Sequence, residues 1–365
     1  MVAGVRRVVG EAELLEIPMA DGGEGTVEAL VAATGGELRS VKVSGPLGGE
    51  VEAIYGILGD AGVRESETVR TAVIEMASAA GLVLVAPGLR NPLKTTTYGV
   101  GQLILDGLEQ GCRDFLIGIG GSATNDGGCG MGQALGARFF DVDGQEIPEK
   151  LTGGLMGEVG LVEVSRIDRR IAQSRFMVAC DVENPLLGAN GASYVYGPQK
   201  GADEGILQVL ETNMAHIMGL IEGETGRRVR DIPGAGAAGG LGAGLMAFLG
   251  GELGRGIEIV MRYCHFAERI RGSRLVLTGE GRIDRSTAFG KTISGIAMEA
   301  AKQSIPVIAL GGTIVEGGET LYDVGVSAVM PICSGPMSLA EAMEGGAELL
   351  ERAAEQAVRI AQVHL

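Results

Sequence analysis

The stretch Gly118-Ile119-Gly120-Gly121-Ser122-Ala123-Thr124-Asn125-Asp126-Gly127-Gly128 decides how this chain is read. A predicted strand, Asp114–Gly120, runs into it, and a predicted helix at about 130–135 follows it. A polar, glycine-rich connection between strand and helix is where open α/β sheets bind ligands. Gly118, Gly120 and Ala123 match the dinucleotide pattern G-x-G-x-x-G/A, and Asp141 lies about twenty residues further on, as that pattern asks. The dinucleotide turn, however, feeds straight into its helix. Here Thr124-Asn125-Asp126-Gly127-Gly128 intervenes, which is turn chemistry and poor helix chemistry. The loop reads better as a phosphate cradle, with side chains from Ser122, Thr124, Asn125 and Asp126 and backbone donors at Gly120 and Gly121. An NAD-linked oxidoreductase stays open as the alternative.

Working outward, short β-rich runs alternate with helical ones, the pattern of an α/β fold. Predicted strands are Leu14–Pro18, Asp114–Gly120, Arg175–Asp181, Arg274–Thr278, Pro306–Leu310 and Ala328–Ile332. Predicted helices are Tyr98–Gln110, Gly205–Ile221, Gly256–Ile270, Lys291–Lys302 and Ser338–Ala361. Several strands are continuous apolar runs, as expected where both sheet faces are covered. Val41–Val43 and Val51–Leu58 read as a hairpin, and Thr71–Met76 as a further strand. The expected architecture is a doubly wound parallel-sheet domain formed by both chain ends (1–45 and 270–365), with an inserted central α/β domain (46–269).

Composition narrows the function classes. Glycine accounts for 63 of 365 residues, far above the usual share of about 7%, and without the period of collagen. So many glycine loops suit the capture of an anion by main-chain N–H groups. Lys and Arg total 30 against 46 Asp and Glu, a net charge of −16. With no basic stripe, nucleic acid is an unsuitable partner. The five cysteines form no C-x-x-C pair, which points to reduced thiols, and the three histidines have no metal-binding spacing. No run is long and apolar enough to be a membrane span, and the first residues lack the apolar stretch of a signal peptide. A cytoplasmic location is expected.

Five further motifs carry chemistry or packing. Ala20-Asp21-Gly22-Gly23-Glu24-Gly25-Thr26 sets two carboxylates, Asp21 and Glu24, in a loop where Thr26 can cap the next helix. Asp181-Val182-Glu183-Asn184-Pro185 puts an acid at a strand end, and Tyr196-Gly197-Pro198-Gln199-Lys200-Gly201 offers Lys200 to a phosphate or simply to solvent. Pro233–Gly244 is nearly free of side chains and suits either close packing or a phosphate nest. The last runs from Thr278 to Thr292 and contains Glu280, Asp284 and Lys291. Its Gly290-Lys291-Thr292 is not a P-loop, because Arg285 stands where that loop needs glycine. Carboxylates for Mg²⁺ or for a hydroxyl proton, with a lysine for phosphate charge, are the parts that phosphoryl transfer uses.

Together, PMADGGEGT, GIGGSATNDGG, DVENPLLGANGA, GPQKGA, PGAGAAGGLGAG and TGEGRID…GK resemble, in order and spacing, the glycerate kinase family that makes 2-phosphoglycerate. The resemblance runs from about residue 8 to the C-terminus. It implies ATP, Mg²⁺ and D-glycerate, in a two-domain fold with the active site in the cleft between domains. Family members usually open with a strand and a loop similar to APDSFKGSLSA, followed by a helix. Here only the tail of that helix, about residues 3–9, is expected, so the native start is expected upstream of Met1. Without that strand, a non-catalytic nucleotide-binding protein is a further alternative. The chain also has Ser286-Thr287 where the family tends to carry Gln-Thr.

The expected reaction is in-line transfer of the γ-phosphoryl group of ATP to a glycerate hydroxyl, driven by positioning and charge neutralisation. Glu280 and Asp284 are expected at Mg²⁺ or as base, and Asp126 and Asp181 at metal or hydroxyl. Lys200 and Lys291 are expected at phosphate oxygens, and Asp21 and Glu24 at the substrate.

Overall fold

The computed structural model describes residues 1–59, 69–288 and 292–362. Lys291 therefore lies outside the described residues. In chain order the strands are β1 Glu37–Ser44, β2 Glu50–Ile57, β3 Thr71–Glu75, β4 Asp114–Gly118, β5 Arg138–Asp141, β6 Val159–Glu163, β7 Arg175–Ala179, β8 Glu252–Gly254, β9 Val276–Ile283, β10 Val307–Ile314 and β11 Ala328–Pro331. The chain folds as two compact units, Pro18–Val260 and Met1–Ile17 with Met261–Leu365. The sequence-based division at 45 and 270 differs from this because the segment from Pro18 to β2 belongs with the central sheet: β1 pairs with β2, and β2 with β3.

The central unit carries a six-stranded sheet in the order β1-β2-β3-β4-β7-β8. The predicted hairpin is present, β1 and β2 running antiparallel from Glu37↔Ile57 to Ser44↔Glu50. β3, β4, β7 and β8 are parallel to one another. Their cores, Ala72–Ile74 and Phe115–Ile117, are wholly buried, as apolar runs covered on both faces should be. Phe115 stacks on Phe176 of β7 at 5.0 Å between ring centroids, and burying one such ring stabilises the fold by about 1.5–3 kcal/mol. Helix Tyr98–Glu109 covers this sheet with Val100, Leu103, Ile104 and Leu108, the i, i+3, i+4 stripe that its sequence shows. β5 and β6 form a separate antiparallel pair.

The unit built from the chain ends has a three-stranded parallel sheet, β11-β10-β9. Ile308 and Leu310 pack with Ala353, Ala354 and Ala357 of helix Gly346–Ala361. Val307 and Ala309, equally buried, point to the opposite face by the two-residue period of a strand. The parallel α/β class is as expected.

Three details differ from the sequence reading. Residues 14–18 form no strand, since no described strand pairs with them to make a ladder. The helix expected over 256–270 splits into Gly256–Tyr263 and Phe266–Arg269 at His265, which takes a left-handed backbone with φ 52°. The helix expected over 338–361 splits at Gly345, behind a capping box formed by Ser338 and Glu341. Among the described residues no helix is long and apolar enough to cross a membrane.

Candidate active site

The strand β4 ends at Gly118, and helix Cys129–Ala134 begins after ten intervening residues. The dinucleotide geometry, in which the turn enters its helix directly, is therefore absent here. The backbone of Gly120 and Gly121 is exposed, while Ser122, Thr124, Asn125 and Asp126 are buried. Asp126 faces inward. Its Oδ2 accepts from the Thr97 amide at 2.7 Å, the Thr97 hydroxyl at 2.8 Å and the Gly130 amide at 3.2 Å, and its Oδ1 accepts from the Gly128 amide at 3.2 Å. Burial pushes its carboxyl above the usual range, and these donors partly offset the push.

Lys200 reaches the same loop from below. It is 2% exposed. Its Nζ lies 2.8 Å from Ser122 Oγ and 2.6 Å from the Thr124 carbonyl oxygen. Burial lowers its amine to about 7, and the nearby charge of Asp126 acts in the opposite direction. Asn125 is fixed by its amide, which donates to Ser193 Oγ at 3.2 Å. The Pro233–Gly244 motif takes the packing role: Ala238, Gly239 and Gly240 all have positive φ, and the Gly127 amide donates to the Gly239 carbonyl at 3.1 Å.

The Asp21 loop lies at the carboxyl ends of the same strands. A Cβ on Gly118 would stand 2.4 Å from the Gly22 carbonyl oxygen, and one on Gly256 only 1.6 Å from that of Asp21. Thr26 Oγ1 accepts from the Gly22 amide at 3.1 Å and donates to the Gly23 carbonyl at 2.7 Å, closing the loop before helix Thr26–Thr34. Glu75, at the end of β3, accepts from the Val27 amide at 2.9 Å and so satisfies the first turn of that helix. Asp181, just past β7, accepts from the Gly256 amide at 2.9 Å. Its carboxyl is raised, first by the protein around it and then by the like charge of Asp21, with the Gly256 N–H opposing. Asp21 and Asp181 are thus electrostatic neighbours, Asp21 half-buried and Asp181 exposed, and Glu24 is exposed as well.

In the chain-end unit, β9 runs on to Ile283, five residues past its expected end. Glu280 is therefore a strand residue, in register with Gly311 of β10, and Asp284 stands just past the strand. Thr287, fully buried, ties the two acids: its hydroxyl donates to Glu280 Oε1 and accepts from the Asp284 amide at 3.2 Å. Arg282 Nε lies 3.3 Å from Asp284 Oδ2.

The expected residues thus fall into three sets. Ser122, Thr124, Asn125, Asp126 and Lys200 form one, Asp21 and Asp181 a second, and Glu280 with Asp284 a third. Sequence reasoning passed over Glu75, Thr97 and Ser193. Glu75 carries the same signal as Asp181, an acid at a strand's carboxyl end. Thr97 and Ser193 carry none, because their importance lies in contacts with residues 29 and 68 positions away. Among the described residues, no three or more His, Cys, Asp or Glu side chains gather as a metal cluster.

A mixed α/β sheet with glycine-rich loops and acids at the carboxyl ends of its parallel strands has the layout in which open α/β proteins hold small ligands. The chain belongs to the glycerate kinase family, which it matches over residues 1–362. It is 49% identical over 351 residues to a glycerate kinase of Halalkalibacterium halodurans, covering 96% of this chain and 90% of that one. It is 46% identical to a glycerate 2-kinase of Escherichia coli K12, covering 96% and 89%. A crystal structure described as a candidate glycerate kinase 2 of Salmonella typhimurium LT2 superposes with a TM-score of 0.88 at 42% identity, covering 99% of this chain and 92% of that one.

Proposed function

We propose that this protein transfers the γ-phosphoryl group of ATP to the 2-hydroxyl of D-glycerate, giving 2-phospho-D-glycerate, in the cytoplasm. The observation that carries this reading is the 46% identity, along nearly the whole chain, to a protein named glycerate 2-kinase. Phosphoryl transfer needs positioned charge rather than covalent chemistry, and the three sets of residues supply it.

Glu280 and Asp284 are hard oxygen donors and fit Mg²⁺, which is ordinarily held by one or two carboxylates together with substrate phosphates. When bound, Mg²⁺ neutralises charge on the phosphate oxygens. Lys291 is assigned to the same phosphates. The exposed backbone of Gly120 and Gly121 donates to phosphate oxygens, and Ser122 Oγ lies beside it where it can meet a phosphate or substrate group. Thr124 and Asn125, fully buried, hold the loop in shape. Asp126, its oxygens occupied by four donors, acts as internal scaffold rather than as a ligand. Asp21, Glu24 and Asp181 take the hydroxyls of glycerate. Asp181, with its raised carboxyl, is well suited to exchanging a hydrogen bond with a hydroxyl.

A coupled ADP-release assay tests the reading. ADP should appear only when ATP, Mg²⁺ and D-glycerate are all present. ADP release indifferent to D-glycerate, or none at all, would sink it.

A further inference from the structure

Ser122 and Lys200 sit where the 118–128 loop and the 196–201 motif meet. Ser122 is 8% exposed and lies next to the open backbone of Gly120 and Gly121, whereas Lys200 is 2% exposed. The amine nitrogen lies 2.8 Å from the serine oxygen and 2.6 Å from the Thr124 carbonyl. Among the described residues no ion pair to it is found, and Asp126, whose charge acts on it, is engaged by Thr97, Gly128 and Gly130.

We propose that Ser122 and Lys200 form a serine–lysine dyad that accepts the proton of the acceptor hydroxyl during phosphoryl transfer, a role that rests on the kinase reading above. The geometry permits it: the lone pair of a neutral amine can accept the Ser122 O–H across 2.8 Å while one N–H donates to the Thr124 carbonyl at 2.6 Å. Hydroxyl hydrogens follow from such networks rather than from heavy-atom positions. Burial agrees, holding the amine near 7.

The charged and titratable groups around Lys200 are few. Asp126 acts from the loop and favours the ammonium. Arg90 packs its backbone and Cβ against Gly201. Tyr196 and Asp203 flank Lys200 on its own segment. Neutral lysine paired with serine is a known way of activating a hydroxyl. As the acceptor oxygen bonds to phosphorus and the bond to the departing ADP oxygen breaks, the acceptor proton passes to Ser122 Oγ. The proton of Ser122 passes in turn to Lys200 Nζ, which becomes an ammonium and later releases the proton to solvent. The dyad thus receives a proton at an open hydroxyl and stores it on a buried amine.

Three measurements test the dyad. NMR of the unliganded protein with labelled lysines, Lys200 being identified by comparison with Lys200→Arg, should show a midpoint near 7; protonation persisting above about pH 9 overturns the proposal. The single-turnover rate with D-glycerate should rise through that midpoint. Ser122→Ala should lower it on the order of 10²-fold and remove the pH limb, with Ser122→Thr restoring part of it. A Ser122→Ala protein that keeps both rate and limb overturns the relay. Diisopropyl fluorophosphate should phosphorylate Ser122, losing fluoride, with the same pH midpoint in wild type and not in Lys200→Arg. This reaction needs no glycerate, so an unreactive Ser122 refutes the dyad even if the kinase reading itself has failed.

Discussion

The carbonyl oxygen of Thr124 lies 2.0 Å from the point at which Gly239 would carry a Cβ, and Gly239 holds φ at 68°. Both facts exclude a side chain, so the phosphate-loop candidate and the side-chain-free segment are fitted to each other. Gly239→Ala should lose about 1–3 kcal/mol to overpacking, with a further ~1–2 kcal/mol for the left-handed backbone. Gly88→Ala, with open space around it and an ordinary φ, is the control and should be nearly neutral. Urea denaturation of the two variants checks this; equal midpoints would mean that the close approach is not a constraint.

Lys200 predicts how stability depends on pH. Its amine falls from 10.5 when exposed to about 7 in the folded chain. The unfolded chain therefore binds more protons between those values, and stability must rise with pH across that window. The penalty is absent above about 10.5 and fully present below about 7. Denaturation from pH 7 to 9.5 should show wild type gaining stability relative to Lys200→Met. Parallel curves for the two would place the amine at its ordinary value.

Asp284→Asn should lower kcat by about 10²–10⁴-fold with the circular dichroism unchanged, since a metal ligand or base acts mainly in the transition state. Its backbone amide would still donate to Thr287, so the fold has no reason to move. A variant with near-normal kcat would remove Asp284 from the chemistry.

What the sequence showed, and what it hid, divides along physical lines. Helix Tyr98–Glu109 and strands β3, β4 and β7 were legible because burial imposes a period on residues close together in the chain. The loop motifs were legible as loops at strand ends, the position at which open α/β sheets bind ligands. Pairing was not. Residues 14–18 have strand composition but no ladder partner among the described residues, and β9 continues through Gly279 and Gly281 because β10 pairs with it there. Orientation was hidden for the same reason. Nothing near Asp126 in the sequence says that Thr97 will turn it inward, and nothing near Lys200 says that Ser122 will meet it.

The most direct test of the account is the identity of the first product. Phosphorus NMR of the reaction with ATP, Mg²⁺ and D-glycerate, with no phosphoglycerate mutase present, should show 2-phospho-D-glycerate from the earliest time points. If 3-phosphoglycerate appears first, or if ATP is left intact beside D-glycerate, the account is contradicted.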